Sequence, residues 1–198
     1  MKNFLKQIEL LENNEINHFI INREFTVLDK NIIKPIILSG SFNPIHSGHR
    51  SLLEYASALL DRNKYYEISI MNVDKPALSI DELSLRIPNF SLDEKIIITN
   101  SSKFIDKVKI FPNTCFVVGY DTAVRILDES YLSDNETLDE FLNMVSSRNC
   151  FFIVAGRVDE NGKFNNLKSD QIKEKYRSLF MIIGEEDFRS DISSTDIR

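Results

Sequence analysis

The sequence predicts an α/β fold: a doubly wound parallel sheet with helices on both faces, closed into a single α/β/α sandwich. Three observations carry that reading. Short apolar, β-branched runs such as Ile36-Ile37-Leu38, Ile96-Ile97-Ile98 and Phe151-Phe152-Ile153-Val154 suit strands buried on both faces. Segments whose apolar residues recur at helical spacing separate these runs, so strands and helices alternate. No repeat or low-complexity linker breaks the alternation, and 198 residues with 42% apolar content bury one sizeable core without calling for a second.

Phe4, Leu5, Ile8 and Leu11 mark one face of an N-terminal helix lying on the outside of the domain. Between Glu15 and Lys34, residues 19–21 and 25–28 each suit a short strand, and His18 reads as a structural or surface histidine. Residues 1–34 are taken as a helical extension packed on a domain spanning 35–198. The central strand over 36–38 runs into a turn at Gly40, and Ser47 reads as the N-cap of a helix bearing Leu52, Leu53, Ala56, Leu59 and Leu60. Arg62 to Lys64 turns the chain into a strand over 67–71. Pro76 disfavours helical geometry at Lys75 and keeps 72–76 a loop. Ser79-Ile80-Asp81-Glu82 has the spacing of a capping box and opens a helix that Pro88 ends. A strand over 96–99, a helix over 103–110 and a strand over 115–118 follow, the last ending in Gly119-Tyr120-Asp121-Thr122 before a helix over 123–128. Leu138, Phe141, Leu142 and Val145 form another helical stripe, and 150–155 the next strand. Asn161-Gly162 marks a turn, 170–177 a polar helix, and 179–183 the last strand before the hydroxyl-rich stretch 193–198.

A net charge of −6 and a pI near 5.2 argue against a nucleic-acid or acidic-membrane surface and favour small-molecule partners. Cys115 and Cys150 sit beside apolar runs, as buried free thiols of a reduced cytoplasmic protein do. The N-terminal stretch lacks the continuous apolar core of a signal peptide, and no segment reaches membrane-spanning length. Homo-oligomerisation is compatible with this composition.

In an open parallel sheet, ligands lie beyond the carboxyl ends of the strands, where the strand order reverses. Five predicted loops fall there: 40–49, 72–76, 119–122, the one at Arg157 and 193–198. The first is the most specific. Of the chain's three histidines, two stand in Gly40-Ser41-Phe42-Asn43-Pro44-Ile45-His46-Ser47-Gly48-His49, flanking the first turn of a helix. Free N–H groups and the positive end of the helix dipole collect there, so a bound anion would meet backbone and imidazole donors together.

This segment resembles the Gly-x-Phe-(Asp/Asn)-Pro-x-His-x-Gly-His signature of the nucleotidylyltransferase superfamily. Within it the chain is most similar to the nicotinamide or nicotinate mononucleotide adenylyltransferases. Ile192-Ser193-Ser194-Thr195-Asp196-Ile197-Arg198 resembles the second family signature, and Gly119-Tyr120-Asp121 the family's Gly-x-Asp. Lys75-Pro76, the run 116–125 and Val154-Ala155-Gly156-Arg157 also look like a plant and fungal branch described as nicotinamide mononucleotide adenylyltransferases. The resemblance covers about residues 35–198 and implies a Rossmann-like fold.

The implied reaction moves AMP from ATP to nicotinamide or nicotinate mononucleotide, giving NAD or its deamido form and pyrophosphate. His46 and His49 would be catalytic. ATP would be held by Gly40, Ser41, Phe42, His46, His49, Gly119, Asp121, Ser193, Ser194, Thr195 and Arg198, with Asp121 on the ribose. Asn72, Lys75 and Arg157 would bind the acceptor. Mg²⁺ would ride on the phosphates without a protein cage. In many relatives the Ser-Ser-Thr segment opens a further helix; here the sequence stops at Arg198. Two alternatives stand beside this reading: another phosphorylated acceptor, or a catalytically idle ATP-binding regulator of the same fold. Phosphopantetheine adenylyltransferases usually carry Thr in place of the first histidine, so His46 counts against them.

Overall fold

Ile36, Ile37 and Leu38 are all buried because the strand they form, β2 (Pro35–Ser39), has parallel neighbours on both sides, β3 (Asn63–Ser69) and β5 (Cys115–Gly119). The computed structural model describes residues 1–71, 77–132, 136–159 and 161–190. Beyond β3 lie β4 (Ile96–Thr99) and the edge strand β1 (His18–Ile21); beyond β5 lie β6 (Phe151–Ala155) and β9 (Phe180–Ile183). The seven-stranded order is β1-β4-β3-β2-β5-β6-β9, parallel except where β1 meets β4. Chain direction across the sheet therefore reverses between β2 and β5, which opens a crevice at their carboxyl ends.

The alternation of side chains along β2 divides the core. Ile36 and Leu38 pack with α1 (Lys2–Glu12), α2 (Ser47–Leu60) and α3 (Ile80–Arg86) through residues such as Phe4, Leu53 and Leu83. Ile37 faces the other layer, where α4 (Phe104–Ile110), α5 (Tyr120–Leu127) and α6 (Leu138–Ser147) contribute Val108, Ala123 and Phe141. This is the predicted α/β/α sandwich. Cys115 and Cys150 are free and buried. Among the described residues, no helix is long and apolar enough to cross a membrane.

Several boundaries differ from those predicted. Residues 1–34 are more than a helical extension: β1 pairs antiparallel with β4, and Phe4, Leu11, Phe19 and Ile21 share one core with β2. The N-cap of α2 is His46, not Ser47. His46 has extended backbone angles (φ −141°, ψ 174°), and its N–H donates to His49 Nδ1 at 3.3 Å. Strand β3 begins at Asn63 because Tyr65 and Tyr66 pair with Ile37 and Leu38. Helix α5 starts at Tyr120, so Gly119 is its N-cap and Asp121 lies in its first turn. The polar segment 170–177 forms two 3-10 turns, Ser169–Gln171 and Glu174–Leu179, because Lys173 between them is extended at ψ 132°. The capping box at Ser79 and Glu82 forms as predicted, with both reciprocal hydrogen bonds present.

Candidate active site

After β2 the chain must leave the sheet and enter α2 within a few residues. Phe42 shapes this turn: it takes a left-handed backbone (φ 42°), unusual for a bulky residue, and buries its ring against Tyr66, Phe90 and the edge of His49. Arg86 on α3 crosses to the same loop, donating from Nη1 to the Ser41 carbonyl at 3.1 Å and from Nη2 to Glu82 at 3.0 Å. Arg50 braces α2 from below through a bidentate pair with Glu94, at 2.9 and 3.2 Å. These supports hold the His46 and His49 rings 3.7 Å apart and 31° from parallel.

Burial and the neighbouring His46 and Arg50 lower the His49 pKa to about 4, so its ring is neutral at pH 7. Because Nδ1 accepts from the His46 N–H, the ring proton sits on Nε2, which is then a donor. Both histidines line a cleft of about 340 Å³ with Ser39, Gly48, Gly119, Asp121, Thr122, Gly156, Arg157, Phe188 and Ser190. The first free N–H groups of α2 lie beside it. A Cβ on Gly48 would stand 2.4 Å from Ser190 Oγ and 3.1 Å from the His46 ring, so a larger residue here would force the Ser190 hydroxyl to move away from the helix start. A Cβ on Gly119 would meet nothing within 4 Å, leaving backbone exposed to a ligand across from the histidines.

Arg157 opens a short hairpin, β7 (Arg157–Val158) with β8 (Phe164–Asn165), whose turn Asp159 holds by accepting from Asn161, Lys163 and Asn165. From there its Nη1 donates to Asp121 Oδ2 at 2.5 Å across the mouth of the cleft. A smaller, largely apolar pocket of about 140 Å³ adjoins the cleft and is walled by Phe104, Ile105, Ile126, Tyr131 and Phe141; Thr122 lines both. Chemically, the cleft offers the neutral His49 imidazole as a donor with His46 beside it, a helix N-terminus and, among the described residues, the Arg157 guanidinium and the Asp121 carboxylate around an open glycine. That set suits a phosphate ester attached to a sugar.

The cytidylyltransferase-like family model matches residues 37–198, taking in both walls of the cleft. The chain belongs to that family. It is 29% identical over 178 residues to the probable nicotinate-nucleotide adenylyltransferase of Fusobacterium nucleatum subsp. nucleatum, covering 84% of this chain and 86% of that protein. It is also 35% identical over 91 residues to the phosphopantetheine adenylyltransferase of Mycoplasma capricolum subsp. capricolum, covering 43% of this chain and 62% of that protein. Membership of the nucleotidylyltransferase superfamily follows, as the His-x-Gly-His segment implied.

In this cytidylyltransferase-like chain, the expected residues His46, His49, Gly119, Asp121 and Arg157 come together on one cleft. Gly40, Ser41 and Phe42 do not line it; Phe42 is 1% exposed and supports His49 from the core. Asn72, Lys75, Ser193, Ser194, Thr195 and Arg198 lie outside the described residues. Sequence reasoning missed Ser39, whose buried hydroxyl at the end of β2 has no hydrogen-bond partner among the described residues. It also missed Arg86, for which the sequence carries no signal because the Ser41 carbonyl it holds lies 45 positions away.

Proposed function

We propose that the chain transfers the adenylyl group of MgATP to the phosphate of nicotinate or nicotinamide mononucleotide, releasing pyrophosphate. The observation that carries this is the placement of the two histidines at the start of α2 facing Gly119 and Asp121 across the reversal between β2 and β5. The similarity to a nicotinate-nucleotide adenylyltransferase over most of both chains supports it. So does the aromatic pocket beside the cleft, which suits a single flat ring.

An acceptor phosphate oxygen attacks the α-phosphorus; the bond to the bridging oxygen of the β-phosphate breaks, and its electron pair leaves with pyrophosphate. No protein nucleophile or base is needed, because the attacking phosphate is already anionic. The protein's task is alignment and charge stabilisation. His49 Nε2–H donates to the developing charge without a change in its own protonation. Asp121 Oδ1 accepts from ribose hydroxyls, while Arg157 is placed to take a phosphate. Ser193, Ser194, Thr195 and Arg198 hold the β- and γ-phosphates. Mg²⁺ would be carried in by the nucleotide and would supply charge neutralisation at its phosphates.

The deciding assay measures pyrophosphate from MgATP with nicotinate mononucleotide, nicotinamide mononucleotide and 4′-phosphopantetheine, the last because of the second relative. Either pyridine mononucleotide should give steady release. ATP binding with no turnover on any acceptor would instead favour an idle regulator. Arg86→Met is expected to lower kcat by about tenfold with little change in the acceptor KM, since it loosens the loop that carries His46; unaltered kcat would remove Arg86 from the loop's support.

A further inference from the structure

We propose that the aromatic pocket selects an acceptor whose flat ring bears a carboxylate, and that Arg125 is the residue that reads it. This rests on the adenylyl-transfer reading and narrows its acceptor to the acid, nicotinate mononucleotide, over the amide. The pocket's volume of about 140 Å³ accommodates one six-membered ring with a small planar substituent. Phe104, Tyr131 and Phe141 supply ring faces and edges, which attract the positively charged pyridinium of either mononucleotide. Ring binding alone therefore does not discriminate.

The charge of the lining does. Among the described residues the charged side chains around the pocket are Lys103 and Arg125, and no carboxylate lines it. The Arg125 guanidinium carbon lies 5.5 Å from the Tyr131 ring centroid, which leaves the edge of the fork able to donate. The acid within the helix, Asp121, sits one turn earlier and is engaged by Arg157, while Asp128 at the helix end accepts from the Ser130 N–H and forms no ion pair with Arg125 among the described residues. Arg125 has no ion-pair partner among the described residues. A ring carboxylate would accept two charge-assisted hydrogen bonds from this fork and offset the pyridinium charge. A carboxamide offers one weaker acceptor, turns N–H donors toward a donor, and leaves the ring's positive charge facing the guanidinium. The same helix carries Thr122 at the junction of pocket and cleft, so a ring placed here keeps its ribose phosphate on the cleft side.

The test compares the two mononucleotides by calorimetric binding and by kcat/KM, on the wild-type chain and on Arg125→Gln and Arg125→Lys. The wild type should favour the acid by about tenfold or more, Arg125→Gln should collapse that ratio by about tenfold through the acid's affinity, and Arg125→Lys should restore part of it. Arg125 is solvent-exposed, so the melting temperature should not follow the ratio. Equal or preferential use of the amide by the wild type, or equal losses for both in Arg125→Gln, would overturn the proposal while leaving adenylyl transfer intact. Arg125-dependent binding of the acid without any pyrophosphate release would do the reverse, sustaining the pocket assignment and sinking the transfer reading.

Discussion

Replacing His49 by alanine is expected to lower turnover by about 10²–10³-fold, the usual cost of deleting one donor that meets developing charge. The loss should appear in kcat more than in nucleotide affinity. His49 is also part of the start of α2, accepting the His46 N–H, so the substitution costs about 1 kcal/mol of stability as other cap deletions do. Those two consequences separate cleanly in magnitude: 1 kcal/mol leaves the chain folded, whereas the turnover loss would be plain in a pyrophosphate assay. His49→Gln, which keeps an N–H donor, should recover a fraction of the activity. Turnover within a factor of three of wild type in the alanine variant would exclude His49 from the chemistry.

The same burial sets a pH dependence. His49 titrates at about 4 in the folded chain against an ordinary 6.5. As pH falls, the unfolded chain takes up this proton first, so the contribution is fully favourable above about 6.5 and declines between 6.5 and 4. The decline amounts to no more than about 3.4 kcal/mol at 1.36 kcal/mol per pH unit. Melting temperatures measured across that window should fall with acidity and fall less steeply in His49→Gln. A melting profile of the same slope in both chains would show that other groups govern the acid limb.

How much of this was legible in the sequence depended on whether the signal was local. The His46 and His49 spacing, the glycine at 119 after an apolar run and the arginine at 157 are short-range patterns, and each landed on the cleft. Strand identity was also local: Ile96–Thr99 is read from its own side chains. Pairing is not, since the apolar pattern of Phe19–Ile21 reports burial without saying that its partner is β4 or that the pair is antiparallel. Phe42 illustrates a different limit. A phenylalanine in a signature loop reads the same whether it touches ligand or fills the core, and only the packing of Tyr66 and Phe90 around it decides for the core. Arg125 likewise carries no local signal of its own, and it is the pocket wall that sets it beside Tyr131.

Glu67 is the residue whose importance was least visible, and its substitution carries the largest expected stability effect. It is 0% exposed on β3, accepting from Lys107 Nζ on α4 and from Thr99 Oγ1 on β4, each at 2.6 Å. Lys107 is itself 5% exposed and lies 5.0 Å from the Phe104 ring, so neither charge has much water to fall back on. Lys107→Met alone strands a buried carboxylate, and Glu67→Ala alone strands a buried ammonium; each should cost about 3–5 kcal/mol in urea denaturation. The double substitution Glu67→Leu with Lys107→Met removes both charges together and should recover most of that loss, because the pair's attraction largely repays its own desolvation. Additive losses in the double variant would mean that the two side chains contribute separately rather than as a pair. The functional consequence runs through α4: Phe104 and Ile105 at its start wall the aromatic pocket, so a stable double variant that retains ATP affinity but binds the acceptor more weakly would locate the pair's role in orienting that wall.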